Sequence, residues 1–416
     1  MPCSVAEPQA IVTMNAKHAL ENLAIFGGGC LFDSPKSTSN LVRPDFDRFL
    51  GYSRLFYERH QYTNNGPLVM LLEQRLAEFH HAEFCVSFCS GFWALVLAIK
   101  TLALEGRTEM IMPSLTYRRM ADIAAWANLK PNFCEVDPGT LAMSESTARA
   151  RINANTGLIL AAHPIVNCCD VTGLVRLAEE HRIPILFDSV ESVYESIEEG
   201  KIGGFGDAEV FSMHASKLLN GFEGGYLTTN DASLAERLRI LRGFGFSGPD
   251  HISVPGGINA KLNEVHAAMA LAGLDDIEDQ VGRNRQRYET YRGQLGSVRG
   301  VRLLEFDERH GTSYKNIVIE LLDDWPLTRA DTLRIMNAEK ILARAYYCPP
   351  LHRKPMRYPH VPANLPLTDA LAERFVLMPC GHMVTDADIG DVVGLLDFMQ
   401  RNAGAIKDRL QAAGGK

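Results

Sequence analysis

The chain has 416 residues, 46% hydrophobic and 22% charged, a globular balance that excludes a disordered or fibrous protein and supplies core for two or three domains. Its net charge of −8 and pI near 5.9, with no run of Lys and Arg interleaved with aromatics, exclude a basic nucleic-acid footprint. The longest apolar stretch, ALVLAIKTLAL at 94–104, is short and interrupted by Lys100, and Glu7 precedes any apolar run, so neither a membrane span nor an export signal is expected.

An N-terminal segment over 1–40 precedes an α/β pattern over 41–275. From residue 84, short β-rich runs alternate with helical stretches: FCVSFCS (84–90), EMIMPSL (109–115), PNFCEVD (131–137), GLILAAH (157–163), IPILFDSV (183–190), AEVFSMH (208–214) and GYLTTN (225–230). GLVRLAEEHR at 173–182 is typical of the amphipathic segments between them. Near-continuously apolar strands are buried on both faces, which predicts a mostly parallel sheet covered by helices. From 262 to 295 the pattern becomes one long bridging helix, whose basic stretch GRNRQRYETYR (282–292) reads as a solvated face. A smaller mixed domain completes the chain, and the domain over 276–416 is expected to be α+β. Nine cysteines, without a CxxC pair or regular framework, fit reduced thiols in a cytosol. Adjacent Cys168 and Cys169 lack the second ligand pair that zinc needs, so no metal is expected.

In a parallel sheet, ligands bind beyond the carboxyl ends of the strands. There the run FSMHASKLLNGFEGG (211–225) carries Ser212 and a single lysine, Lys217, into a glycine-rich turn. Taken alone, a loop lysine pointing into water is the commoner arrangement. Three other strand ends change that weighting. IPILFDSVES delivers Asp188 after five apolar residues, either as a helix cap or as a charge held for a ligand. FCVSFCS runs into Ser90 and Gly91, where a helix start would point free amides at an anion. PSLTYRRMADIAAWA places Tyr117 where a ring could cover a flat molecule. A lysine amine, a carboxylate, an anion-binding helix start and an aromatic plate are the set that pyridoxal 5′-phosphate requires. A dinucleotide reading is not supported, because GGFGDAE at 203–209 lacks the GxGxxG spacing.

GDAEVFSMHASKLLNGFEGGYLTTND (206–231) resembles the cofactor-lysine segment of the DegT/DnrJ/EryC1/StrS aminotransferases, pyridoxal-phosphate enzymes that mostly aminate nucleotide-linked keto-sugars. The resemblance covers nearly the whole chain in order: LAIFGGGCLFD (23–33), YTNNGPLVMLLEQRLAEF (62–79), NFCEVDPGTL (132–141), GGINAKLNEVHAAMAL (256–271), YYCPPLH (346–352) and LMPCGHMVTDADI (377–389). It implies the aspartate-aminotransferase-like fold (type I), with a seven-stranded large domain and a smaller C-terminal domain. It also implies that Lys217 is the Schiff-base lysine and Asp188 the partner of the pyridine nitrogen. By the same match Ser212 binds the phosphate, Tyr117 stacks on the ring, and Asn259 reaches the phosphate from the neighbouring subunit of a homodimer. Tyr346 and His352 are candidate substrate contacts. The implied function is amination of a keto-sugar, with an amino acid such as glutamate as donor. The alternatives are a member with altered chemistry, such as elimination or a non-sugar ketone, and a non-catalytic regulator.

Two positions depart from the family pattern. Where the family usually has Ser-Gly-Thr, the chain has Ser90, Gly91, Phe92 and Trp93, so the phosphate would rest on backbone amides around Gly91, Phe92 and Trp93. Three residues beyond Asp188 the family usually has His or Gln, groups that donate to the ring oxygen, and this chain has Glu191. An ionised carboxylate only accepts hydrogen bonds, so a Glu191 facing that oxygen is expected to hold a proton near neutral pH. The rival placement turns Glu191 toward the substrate.

Overall fold

The structure is a computed structural model that describes residues 16–39 and 42–414; Cys3 and Glu7 lie outside the described residues. In chain order the strands are β1 (Lys36–Ser37), β2 (Phe84–Phe88), β3 (Glu109–Pro113), β4 (Lys130–Cys134), β5 (Thr156–Ala162), β6 (Ile185–Asp188), β7 (Ser196–Ile197), β8 (Gly200–Lys201), β9 (Ala208–Ser212) and β10 (Gly225–Thr229). The helices through this region and its C-terminal edge are α1 (Phe46–Glu58), α2 (Pro67–His80), α3 (Gly91–Leu102), α4 (Met120–Trp126), α5 (Glu145–Arg149), α6 (Val171–His181), α7 (Ala232–Arg242), α8 (Glu264–Asp275) and α9 (Ile277–Leu295).

All seven expected strands join one sheet in the order β2-β10-β9-β6-β5-β3-β4, parallel except for β10, which runs antiparallel to both neighbours. Successive side chains of a strand point to opposite faces. Thus Ile159, Phe187, Phe211 and Tyr226 enter one apolar cluster. Their chain neighbours Leu158, Leu186, Val210 and Leu227 enter the other. Both faces are covered, as the unbroken apolar runs require.

The region expected to be one bridging helix is two, because α8 stops at Asp275 and α9 starts at Ile277. Between them the carboxylate of Asp276 accepts the backbone N–H of Asp45 at 2.7 Å and approaches Arg48 at 3.4 Å, so the side chain at the break anchors the start of α1. Beyond α9, β11 (Val301–Leu303), β12 (Ile317–Leu321), β14 (Arg344–Ala345) and β15 (Phe375–Met378) form an antiparallel sheet in the order β11-β12-β15-β14, and β13 (Ile341–Leu342) pairs in parallel with β1. The described segment over 16–39 is therefore docked on the C-terminal region. Fully buried Glu339 fixes it, accepting from the N–H groups of Ala24 and Leu31, each at 2.7 Å, and pairing with Lys17 at 3.1 Å. Among the described residues no helix is long and apolar enough to cross a membrane, and no cluster of His, Cys, Asp and Glu could hold a metal ion.

Candidate active site

Register brings four strand ends to one place. Asp188, the last residue of β6, lies opposite Val210 of β9. Ser212 closes β9 opposite Gly225, the first residue of β10. Gly225 in turn lies opposite Phe88 at the end of β2. The antiparallel course of β10 puts its start, rather than its end, at this rim. From Ser212 the chain enters a loop closed by Met213 N–H donating to Gly224 O (2.9 Å) and Gly221 N–H donating to Met213 O (2.8 Å). Lys217 sits inside it, its own N–H on His214 O at 2.8 Å. Gly224 has φ +146°, a conformation that other residues rarely adopt, which is why the turn after Lys217 is glycine-rich.

The start of α3 lies against this rim. A Cβ on Gly91 would stand 3.3 Å from Cβ of Ser212, and one on Gly225 would stand 2.3 Å from the Gly91 nitrogen. These three backbones approach so closely that no larger residue fits at Gly225. Ser90 caps the helix by accepting from Trp93 N–H at 3.3 Å. The first turn of a helix leaves amides without intrahelical acceptors, so the concavity favours an anion. Ser212 Oγ accepts the N–H of His214 at 3.3 Å, which leaves its hydroxyl hydrogen available to a ligand.

Buried charges face this concavity. Burial pushes the carboxyl of Asp188 up to about 6, although the charge of Lys217 and the N–H of Val190, 3.4 Å from Oδ1, pull the other way. A buried carboxylate with so little compensation suits a cationic ring nitrogen. Glu191 is different. One oxygen accepts from Lys217 Nζ, and the other accepts from Lys315 Nζ at 2.7 Å and Asn316 Nδ2 at 3.4 Å. Burial alone would push Glu191 up, but the two ammonium groups more than offset it and bring it down to about 2. The expected proton applied to a Glu191 set against a cofactor's ring oxygen; with Lys217 free, two lysines hold this carboxylate and favour its ionised form.

The remaining expected residues divide. Tyr117 follows β3 in a turn and is 43% exposed, open to cover a ring. Tyr347 lies within reach of the same charges, its hydroxyl pushed up first by burial and then by Glu191, Tyr346, Asp188 and Tyr117. Tyr346, expected to meet substrate, instead points into the core, 1% exposed, its hydroxyl accepting Ile165 N–H at 3.1 Å. The chain bends after β14, and Tyr347 takes a left-handed conformation with φ +42°. His352 is also committed, its Nδ1 on Ser114 Oγ at 2.7 Å and its Nε2 3.2 Å from Asp369. It ties the C-terminal region to the turn after β3. Phe92 and Trp93 pack edge to face (5.4 Å), and Trp93 meets Trp126 of α4 at 5.3 Å, so these rings contact one another and α4. Asn259 is exposed in a segment tied to the turn before α3 through Cys89 N–H donating to Ala260 O at 2.7 Å.

Lys315, Asn316 and Tyr347 were missed by sequence reasoning. Lys315 carries the same signal as Lys217, a lone lysine beside an apolar strand, in SYKNIVIEL. Taken together, an amine, an uncompensated buried carboxylate, an anion cradle and an open aromatic face fit pyridoxal 5′-phosphate.

A model of the DegT/DnrJ/EryC1/StrS aminotransferase family matches residues 49–397. The dTDP-4-amino-4,6-dideoxy-D-glucose transaminase of Shigella dysenteriae is 27% identical over 306 residues, 74% of this chain and 83% of its own. The L-glutamine:2-deoxy-scyllo-inosose aminotransferase of Streptomyces fradiae is 30% identical over 352 residues, 76% of this chain and 82% of its own. DesI, solved in the presence of its TDP-sugar product, has a TM-score of 0.88 and 32% identity, over 94% of this chain and 100% of its own.

Proposed function

We propose a substrate class for this chain, which belongs to the DegT/DnrJ/EryC1/StrS aminotransferase family and is a pyridoxal-phosphate-dependent aminotransferase: it transfers an amino group from an amino acid, glutamate first among the candidates, to a nucleotide-diphosphate-linked keto-deoxysugar. The observation that carries the reading is the meeting of Asp188, Ser212, Gly91 and Lys217 at one rim of the sheet. Bound cofactor supplies an electron sink and a carbon that carries the amino group.

The chain's residues do the rest. Asp188 holds the ring nitrogen as a cation, which offsets the cost of burying its own charge. The amides at the start of α3 and the hydroxyl of Ser212 hold the phosphate, and Tyr117 covers the ring. Lys217 Nζ would anchor the cofactor and, once released, would be the base that moves a proton between the donor carbon and the cofactor carbon. Asn259 completes the phosphate site of the adjoining subunit in a homodimer, in a cytosolic setting. Relatives that act on dTDP-linked and GDP-linked amino sugars support the sugar assignment, and the inosose aminotransferase keeps a cyclic ketone in view.

The test is to mix cofactor-loaded protein with a panel of amino donors and follow loss of the yellow, lysine-bound absorbance. Nucleotide keto-sugars and free cyclic ketones are then added to find which restores it. Restoration by a nucleotide keto-sugar supports the reading. Restoration only by a free cyclic ketone overturns the sugar assignment, and no response to any donor overturns amino transfer to this class.

A further inference from the structure

Glu191 has more cationic partners than an acceptor beside Lys217 would need. Its side chain is 13% exposed, that of Lys217 17% and that of Lys315 5%, so all three charges are largely out of water. Lys315 lies on the segment leading into β12, and Glu191 follows β6, so the pair bridges the two sheets. Besides the two lysines and Asn316, the groups that feel Glu191 are Asp188, Tyr346, Tyr347 and Cys380. Among these groups the two lysines are the only cations. When Lys217 is bonded to a cofactor, its ammonium no longer sits on Glu191 in the form seen here. A carboxylate left alone in such a place takes up a proton, because burial without a partner disfavours the charge.

We propose that Lys315 is a positioning residue: it keeps Glu191 ionised while Lys217 is engaged elsewhere, so that the ammonium of Lys217 has an anionic seat to return to whenever the amine is released. This rests on the reading that Lys217 carries the cofactor. Asn316 orients the same carboxylate oxygen. The device places a held anion where the family's neutral His or Gln stands, and the held anion acts on the lysine.

The test is infrared spectroscopy of cofactor-loaded protein at neutral pH, read for a protonated-carboxyl band that depends on Glu191. Native protein and Lys315→Arg should lack the band. Lys315→Met should show it, and Lys315→Met combined with Glu191→Gln should lose it. Cofactor dissociation should also rise roughly tenfold in Lys315→Met and return toward native in Lys315→Arg. Absence of a Glu191-dependent band in folded Lys315→Met overturns the proposal. If Lys315→Met does not fold, Glu191→Gln alone decides, since an unchanged cofactor dissociation constant in that variant overturns it and a rise supports it. Borohydride fixation keeps the two readings apart. Labelling at Lys217 without the band removes only the role of Lys315, whereas labelling at another lysine removes the reading beneath it.

Discussion

Gly91, the first residue of α3, and Ser212, the last of β9, are in such close contact that a Cβ on Gly91 would stand 3.3 Å from Cβ of Ser212. This contact holds the helix amides and the serine hydroxyl at one point, and Gly225 makes it possible by leaving room beneath the Gly91 nitrogen.

Gly225→Ala is therefore expected to separate the helix start from β9, since its Cβ would stand 2.3 Å from the Gly91 nitrogen. Overpacking of this kind costs roughly 1–3 kcal/mol, and here it falls on the cradle. Thermal unfolding should show a lowered midpoint, and titration with cofactor should show affinity reduced by about tenfold or more. Gly91→Ala, with contacts of 3.2 and 3.3 Å, should be milder on both measures. Native-like cofactor affinity in Gly225→Ala would show that the cradle lies elsewhere.

Lys217 is expected to be the attachment point. Borohydride treatment of yellow protein, followed by digestion and mass spectrometry, should fix the cofactor to a peptide containing Lys217. Lys217→Ala should be colourless after incubation with cofactor while melting as a folded protein. Labelling of another lysine would sink the assignment.

Asp188 should cost the cofactor-free protein stability. Its folded-state carboxyl lies at about 6 against 3.8 for the free group, so the folded state binds more protons through that window and stability falls as pH rises from about 4 to 6. The full cost, on the order of 3 kcal/mol, is present above pH 6. Glu191 works in the opposite sense, stabilising the fold above pH 4.5 and losing that contribution as pH falls toward 2. Asp188→Asn is thus expected to raise the cofactor-free melting midpoint at pH 8 and to lower activity by about a hundredfold or more, since the amide cannot hold a cationic ring nitrogen. Cofactor-free melts at pH 8 and initial rates check both; a less stable Asp188→Asn would contradict the burial argument.

Asn259 is expected to act across a dimer. Lys217→Ala and Asn259→Ala chains, each inactive as a homodimer, should regain part of the native activity when mixed, because one site of each hybrid then carries both residues. Native mass spectrometry can establish subunit exchange. Proven exchange without recovery would rule out a role in trans.

The positions of Asp188, Ser212, Gly91 and Lys217 were legible in the sequence because each ends or follows an apolar run, and a run buried on both faces fixes strand identity and direction. The family resemblance supplied their expected roles, and the family match over 49–397 agrees with the family assignment. Tyr346 and Tyr347 were less tractable. They are adjacent and chemically alike, and the one that turns inward is Tyr346, whose hydroxyl oxygen accepts the distant Ile165 N–H.

By itself, then, the sequence determined the seven strands, their common sheet and the residues at its rim, since alternation and apolar run length are local properties of the chain. Tertiary structure alone brought two lysines to Glu191. Its expected proton followed from setting it against a cofactor's ring oxygen, whereas its second ammonium partner is Lys315, 124 positions away beside a different sheet. The same holds for the break at Asp276, fixed by the distant N–H of Asp45, and for the N-terminal segment seated on Glu339. Long-range charge pairs leave no periodic trace along a chain, because what selects them is the exclusion of water from a shared interior, and that exists only once the chain has folded.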